Sequence, residues 1–133
     1  MKILLDTQVF LWYISGDNRL PGFMLDSIRD ADNLVYLSVA SFWEIVIKYQ
    51  LGKLPLPQSP ESYIPRQRQR HQIESLIIGE ASIAQLVKLP TLHRDPFDRL
   101  LICQTIEHGM LLATTDHKIQ QYPVPLLTKL TSN

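Results

Sequence analysis

Four acidic residues stand at positions from which a folded chain could bring them together. Asp6 and Asp116 each follow an apolar run that is typical of a β-strand. Asp98 lies early in a strongly helical segment, and Glu44 lies among apolar residues of another helical segment. Two carboxylates about 4 Å apart repel by roughly 4 kcal/mol at an effective dielectric constant of 20, so such a cluster needs a cation or raised pKa values.

The chemistry expected of such a cluster is set by its oxygen ligands. Carboxylates without clustered Cys or His residues favour Mg²⁺ or Mn²⁺ over zinc. A water molecule bound to such an ion is a ready nucleophile. If the fold gathers the four acids, the sequence predicts metal-dependent hydrolysis of a phosphodiester bond.

Each acid also has an ordinary structural explanation. Asp6, Asp95 and Asp116 each precede a predicted helix, and Asp is a common helix N-cap. Glu44 fits this explanation less well because its neighbours are apolar, although Lys48 stands four residues later and could pair with it. From the residues alone, both readings stay open.

The elements that must position these acids alternate along the chain. The strand candidates are Lys2–Leu5, Leu34–Leu37, Ile73–Ile78, Met110–Thr114 and Val124–Thr128. The helix candidates are Thr7–Ser15, Pro21–Asp30, Ser38–Leu51, a segment from near Pro60 to His71, Glu80–Lys88, Asp95–His108 and His117–Tyr122. The alternation predicts a parallel sheet covered by helices on both faces, with a site at the carboxyl ends of its strands.

Length and composition set the limits of this prediction. The 133 residues suit a single domain over residues 1–133, with 45% apolar residues and 13 basic against 13 acidic side chains. No apolar run is long enough to cross a membrane, and the N-terminus lacks a signal-peptide pattern. The single cysteine, Cys103, cannot form an internal disulfide. We therefore expect a cytoplasmic protein without membrane contact.

Five stretches in this order resemble the PIN domain of VapC-type toxins. They are Leu4–Thr7, Ser41–Lys48, Leu51–Leu54, His93–Ile102 and Thr114–Asp116. Each stretch is a weak signal by itself, but together they span nearly the whole chain. The resemblance implies a three-layer α/β/α sandwich with a mostly parallel central sheet. It also implies a Mg²⁺- or Mn²⁺-dependent endoribonuclease toxin that is held by a cognate antitoxin and forms a homodimer.

The resemblance also assigns roles to residues of the site. The family's acidic quartet, which holds the metal and carries catalysis, corresponds to Asp6, Glu44, Asp98 and Asp116. Thr7 and either Thr114 or Thr115 would orient carboxylates or water, whereas Asp95 is explained by capping. Gln8 departs from the Asn or His that is frequent in relatives, which puts a direct role for position 8 in doubt. In-line attack by water would leave a 5′-phosphate and a 3′-hydroxyl.

The basic, histidine and aromatic residues near these stretches each have two possible roles. Arg94 and Arg99 could contact RNA phosphates, and Arg99 could instead support a carboxylate. Lys48 could reach the substrate or pair with Glu44. His93 could contact RNA or simply hold a loop through a backbone hydrogen bond. The aromatic residues Phe10, Trp12 and Trp43 suit a core or a dimer contact better than a platform for stacking bases.

Two other function classes compete with the nuclease. A receiver-like signalling module also has an acidic Mg²⁺ pocket, but it needs paired acids after its first strand, where this chain has Leu5 before Asp6. It also needs a lysine after a late strand, which Lys129 matches poorly. A catalytically silent PIN-like module that binds RNA or protein is the stronger alternative, although the intact acidic quartet opposes it.

Overall fold

Four short strands form one parallel sheet in residues 1–131, the part of the chain that this computed structural model describes. The strands are β1 (Lys2–Leu5), β2 (Leu34–Ser38), β3 (Glu74–Leu76) and β4 (Leu111–Ala113). Their order across the sheet is β3-β2-β1-β4, and every neighbouring pair is parallel. The chain thus builds outward from β1 to β3 and then returns to place β4 on the other side of β1.

The described part of the chain also contains seven α-helices and one 3₁₀ turn. The helices are α1 (Thr7–Ser15), α2 (Gly22–Arg29), α3 (Val39–Gln50), α4 (Pro60–Arg70), α5 (Glu80–Gln85), α6 (Pro96–His108) and α7 (His117–Gln120), and the 3₁₀ turn is Leu86–Lys88. None of the helices in residues 1–131 combines the length and apolarity needed to span a bilayer.

The alternation of side chains along β1 shows how the sheet separates two cores. Ile3 and Leu5 pack on one face with residues of α1, α2 and α4, such as Phe10 and Ile64. Leu4 points to the opposite face and packs with residues of α6 and α7. Helices cover both faces of the sheet, and residues 3–5 of β1 and the three residues of β4 are all apolar, as expected for central parts of a parallel sheet. The predicted three-layer α/β/α arrangement is confirmed.

The predicted fifth strand, Val124–Thr128, is wrong in extent. Only an isolated bridge joins Leu126 to Leu112 of β4. Two hydrogen bonds hold it: Leu112 N donates to Pro125 O, and Leu127 N donates to Leu112 O. Pro125 has no N–H to contribute, so the pairing cannot extend into a regular ladder here. The predicted strands at 73–78 and 110–114 likewise shorten to three residues each.

The proline-rich segment gives a mixed result. We expected its prolines to favour a loop with a helix beginning near Pro60, and α4 does begin there, with Pro60 in its first turn. Pro65 nevertheless lies inside α4, in its second turn, although four prolines in residues 54–65 argued against a helix interior. The cost is limited because Pro65 removes a single backbone donor near the helix start.

Two helices that carry site residues at their N-termini, α1 and α6, end where the sequence predicts. Gly16 follows α1 with a φ of 66°, and Gly109 follows α6 with a φ of 62°. These left-handed conformations suit glycine and close the last turn of each helix. The lengths of α1 and α6 are therefore fixed by local sequence, and their first turns face the same edge of the sheet.

Candidate metal centre

A cavity of about 420 Å³ opens at the carboxyl ends of β1 and β4. These neighbouring strands are where the chain reverses its direction of growth across the sheet, the place where α/β folds bind ligands. Five carboxylates line the cavity: Asp6, Glu44, Asp95, Asp98 and Asp116. Two lysines, Lys48 and Lys53, line it as well. The sequence-predicted quartet is therefore brought together.

Asp6 caps α1 directly after β1 and is only 8% exposed. Its Oδ1 accepts a hydrogen bond from Gln8 N at 2.8 Å, and its Oδ2 accepts one from Thr114 Oγ1 at 2.5 Å. Burial raises the pKa of Asp6 despite these two donors, and the negative charges of Asp116 and Glu44 raise it further. Asp6 is thus both a helix cap and part of the acidic cluster.

Glu44 enters the cavity from the middle of α3 and is 7% exposed. Thr7 Oγ1 donates to its Oε1 at 2.7 Å, and Lys48 Nζ lies 2.9 Å from its Oε2. Ser41 Oγ lies 2.9 Å from the same Thr7 hydroxyl. The pair with Lys48 is real, but it joins a half-exposed ammonium to a buried carboxylate and is not an ordinary surface pair. The Glu44 hydrogen bond raises the pKa of Lys48.

Asp95 and Asp98 act differently although one turn of α6 separates them. Asp95 Oδ1 accepts hydrogen bonds from Phe97 N at 2.9 Å and Asp98 N at 3.2 Å, which confirms its predicted capping role. Asp98 Oδ2 lies 2.8 Å from His93 Nε2. Burial raises the pKa of Asp98 to about 6, partly opposed by the His93 contact and assisted by nearby carboxylates.

Asp116 follows β4 and caps α7, with its Oδ1 accepting from Lys118 N at 2.9 Å. Its own backbone N donates to Thr114 Oγ1 at 3.0 Å. Thr114 therefore ties Asp116 to Asp6, and of the two threonines considered from the sequence it is the one that orients a carboxylate. Thr115 lines the cavity, and its hydroxyl makes no hydrogen bond within residues 1–131.

The donor set fits a hard divalent cation. Most of the groups are carboxylates from separate elements. The pKa values of Asp6 and Asp98 rise chiefly because burial penalises the charged form, and neighbouring carboxylates raise them further. Ligand atoms of His93, Asp98 and Asp116 also lie within 4.8 Å of one another. A cation is the simplest source of the charge that would let all these groups ionise together.

The predicted basic contacts fall into two groups. Lys48 lines the cavity, and Lys53, which the sequence did not single out, lines it too. Arg94 and Arg99 are not among the residues that line the cavity. Arg99 Nη1 instead donates to Pro90 O at 3.0 Å. A phosphate contact by either arginine stays a prediction.

His93 is the site residue that sequence reasoning undervalued. Its ring contacts Asp98, whereas we had weighed only an RNA contact or a backbone hydrogen bond for it. The backbone bond exists as well, since His93 N donates to Tyr122 Oη at 2.7 Å. In the sequence, the relevant feature is that His93 stands five residues before Asp98. This spacing allows a contact only if the loop folds back onto the first turn of α6.

The sequence is similar to those of two proteins that are named ribonucleases. The chain is 42% identical over 57 residues to the ribonuclease VapC16 of Mycobacterium tuberculosis, a match that spans 43% of this chain and 40% of that relative. It is 27% identical over 124 residues to the ribonuclease VapC22 of the same organism, covering 92% of this chain and 93% of that one.

Solved structures of similar fold include two structures that carry the name VapBC. A chain of VapBC2 from Rickettsia felis, bound to a DNA fragment from its promoter, matches with a TM-score of 0.70 and 19% identity over 96% of this chain and 98% of that chain. A chain of VapBC-1 from nontypeable Haemophilus influenzae matches with a TM-score of 0.64 and 19% identity over 91% of each. At this identity the likeness concerns the fold. The PIN domain family model matches residues 3–125, and the chain belongs to the PIN domain family.

Proposed function

We propose that this PIN domain is a VapC-type toxin that hydrolyses RNA phosphodiester bonds with the help of Mg²⁺ or Mn²⁺. One observation carries the proposal: carboxylates from four separate elements, Asp6, Glu44, Asp98 and Asp116, line one cavity at the switch point of the sheet. Nuclease activity agrees with the ribonuclease names of the relatives. A cavity lined by this many carboxylates is suited to binding a divalent cation, and the bound cation can in turn bind an anionic substrate.

The four carboxylates would hold the metal, directly or through water. The bound ion would lower the pKa of an attached water and offset the charge of the phosphate. Thr114 and Thr7 fix the carboxylates of Asp6 and Glu44 before substrate arrives. Fixed ligands lower the reorganisation needed during the reaction.

Asp98 is the better of the two candidate acceptors for the proton of the attacking water. Glu44 has both oxygens engaged, by Thr7 and by Lys48. Asp98 Oδ1 has no hydrogen-bond partner within residues 1–131, and burial brings the pKa of this carboxyl to about 6. A base is most effective when its pKa lies near the working pH. The water would transfer its proton to Asp98 as its oxygen bonds to phosphorus and the P–O3′ bond breaks. The departing 3′-oxygen would take a proton from solvent, which would leave a 5′-phosphate and a 3′-hydroxyl on the cut strand.

Substrate contact would come from the cations at the rim of the cavity. Lys48 and Lys53 lie on its wall, so they would meet phosphates next to the bond that is cut. Arg94 is exposed on the loop before α6 and could extend this contact along the RNA. RNA as substrate and a reduced Cys103 both suit the cytoplasm, where we place the protein.

A cognate antitoxin is the protein partner that we propose. The resemblance to VapC-type toxins implies such a partner, and solved structures of similar fold include VapBC2 and VapBC-1. A partner that covers the cavity would do so most simply by placing an arginine among the carboxylates, because a guanidinium matches them in charge and geometry. Its gene would stand in the neighbouring reading frame.

Self-association is the second contact that we propose. Of the aromatic residues considered from the sequence, Phe10 is fully buried and belongs to the core. Trp43 is 58% exposed, and its ring stands edge-on to Phe97 at 5.2 Å. Val39, one turn earlier on α3, is also exposed. These apolar side chains form the surface on which we expect a second copy to pack.

RNA cleavage by the antitoxin-free protein tests the proposed function. A mixed pool of tRNA, rRNA fragments and unstructured RNA is incubated with Mg²⁺, Mn²⁺ or EDTA, and the cut ends are mapped. We expect metal-dependent cuts with 5′-phosphates that are absent with Asp98→Asn. Metal binding without any cleavage would favour the catalytically silent PIN-like module, and absence of metal binding would contradict the metal centre itself.

A further inference from the structure

The loop that precedes α6 is tied to a buried tyrosine. Tyr122 is only 4% exposed, and its hydroxyl meets both backbone groups of His93. His93 N donates to Tyr122 Oη at 2.7 Å, and Tyr122 Oη donates to His93 O at 3.2 Å. A single hydroxyl therefore fixes the main chain of one loop residue from both sides.

Arg99 ties the same loop from the other side. Its Nη1 donates to Pro90 O at 3.0 Å and also lies 3.4 Å from His93 O and 3.3 Å from Tyr122 Oη. Arg99 directly follows Asp98 in α6, so one helix turn carries both the carboxylate and the group that holds the loop. These contacts account for the guanidinium without any role in the cavity.

The loop position of His93 explains why it needs such anchoring. Asp6 and Glu44 each accept a hydroxyl hydrogen bond from a side chain at the end of a strand or the start of a helix, Thr114 and Thr7. Asp98 accepts its corresponding bond from His93, which belongs to no helix or strand. Loops hold side chains less firmly than regular elements do, unless other contacts fix their backbone.

We propose that His93 is a positioning residue for Asp98, and that Tyr122 and Arg99 hold its main chain for that role. An ionised carboxylate can only accept, so the imidazole Nε2 carries the proton of the 2.8 Å contact. With Oδ2 engaged in this way, Asp98 keeps Oδ1 for the metal centre. The inference deepens the proposed function and rests on it, since Asp98 must serve a metal centre.

Metal affinity measured by calorimetry with Mn²⁺ tests the inference. We expect His93→Leu to lower the affinity about 10- to 100-fold, the usual effect of losing a partner of a ligand. His93→Gln should retain most of the affinity because its amide N–H can replace the Nε2 donor. Tyr122→Phe should lower affinity about fivefold, because both hydrogen bonds between the hydroxyl and the His93 backbone are lost while the ring still fills its place.

Tyr36→Phe is the matched control. Tyr36 packs in the same apolar layer as Tyr122, but its hydroxyl has no hydrogen-bond partner in residues 1–131. Its loss should leave Mn²⁺ affinity unchanged. Thermal unfolding of each variant separates positioning from stability, because an affinity loss in Tyr122→Phe at an unchanged midpoint supports positioning. Equal affinities for the wild type, His93→Leu and Tyr122→Phe would overturn the inference while leaving the proposed function intact.

The magnetic resonance of bound Mn²⁺ distinguishes positioning from direct ligation. We expect no strong coupling from an imidazole nitrogen, because His93 contacts the carboxylate and not the ion. A strong nitrogen coupling in the wild type that disappears in His93→Gln would overturn the inference and make His93 a ligand. A wild-type protein that binds no Mn²⁺ would contradict the proposed metal-dependent function, and the inference with it.

Discussion

The acidic cavity has a buried half and an open half. Asp6 and Glu44 are each less than a tenth exposed, and both oxygens of each accept a hydrogen bond or ion pair. Asp98 and Asp116 are less buried, and each uses one oxygen for a contact within the described chain. The two halves therefore contain the same kind of side chain but differ in how many carboxylate oxygens are already in contact with the protein: both in the buried half and one in the open half.

This difference teaches how a small domain can build a reactive site. Buried carboxylates with hydroxyl donors keep one geometry, because an unmade hydrogen bond in a dry place is costly. The open half keeps unpaired oxygens that can accept a proton or meet water. We infer that the buried half sets the geometry and that the open half carries the proton transfer.

The largest expected effect comes from removing a charge from either half. Asp6→Asn should lower the rate of RNA cleavage by more than about a hundredfold, since it removes a ligand and not merely a partner of one. Asn is also a good N-cap, so α1 should keep its start. Single-turnover cleavage is the measurement, with the exposed Asp26→Asn as control. A cleavage rate within a few-fold of wild type would contradict the metal role of Asp6.

The next effect tests the fixed geometry of the buried half. Thr114→Val removes the donor to Asp6 and should lower Mn²⁺ affinity about 10- to 100-fold. The matched control is Thr105→Val, because Thr105 is equally buried but bonds only to Leu101 O within its own helix. Calorimetry should show affinity lost in the first variant and kept in the second. Similar losses in both would mean that the effect is general destabilisation.

The features of the site that depend on local patterns could be predicted from the sequence. The caps Asp6, Asp95 and Asp116 lie where their helices begin, and helices cover both faces of the parallel sheet as predicted. Such features need only neighbouring residues. The family resemblance added the pairing of distant stretches, which periodicity alone could not supply.

The sequence was insufficient where distant side chains meet. Tyr122 lies 29 residues from His93, and Gln104 lies 66 residues from Ser38, whose hydroxyl it contacts at 2.5 Å. Gln104 is fully buried, and Ser38 caps α3, the helix of Glu44. No local pattern marks these residues, because their role depends on the packing of α6 against the sheet.

The third effect concerns stability and pH in the open half. Burial raises the pKa of Asp98 to about 6, above its value in the unfolded chain. The folded protein therefore keeps this proton where the unfolded chain has lost it, so stability from this group is full below about pH 4 and is lost as the pH rises through about 6. Without metal, Asp98→Asn should be more stable than wild type at pH 7.5 by on the order of 1–3 kcal/mol.

Urea unfolding in the presence of EDTA measures this difference. Near pH 4 the gain should shrink toward zero, because the wild-type carboxyl is then neutral in the fold. The exposed Asp26→Asn should change little at either pH. A variant that is less stable than wild type at pH 7.5 would show that ionised Asp98 stabilises the fold, which contradicts the argument that burial disfavours this charge.

The smallest expected effect lies at the boundary of the two halves. Lys48 is half exposed, while its partner Glu44 is buried and also held by Thr7. Exposed ammonium groups contribute little to stability, so a double-mutant cycle of Lys48→Met and Glu44→Gln should give a coupling energy below about 1 kcal/mol. Added salt should reduce this energy, since the ammonium meets solvent. A larger coupling energy that does not change with salt would contradict this expectation, because it would show that Lys48 acts as part of the buried half. The position of the Glu44 carboxylate would then depend on the Lys48 charge as much as on the Thr7 hydroxyl.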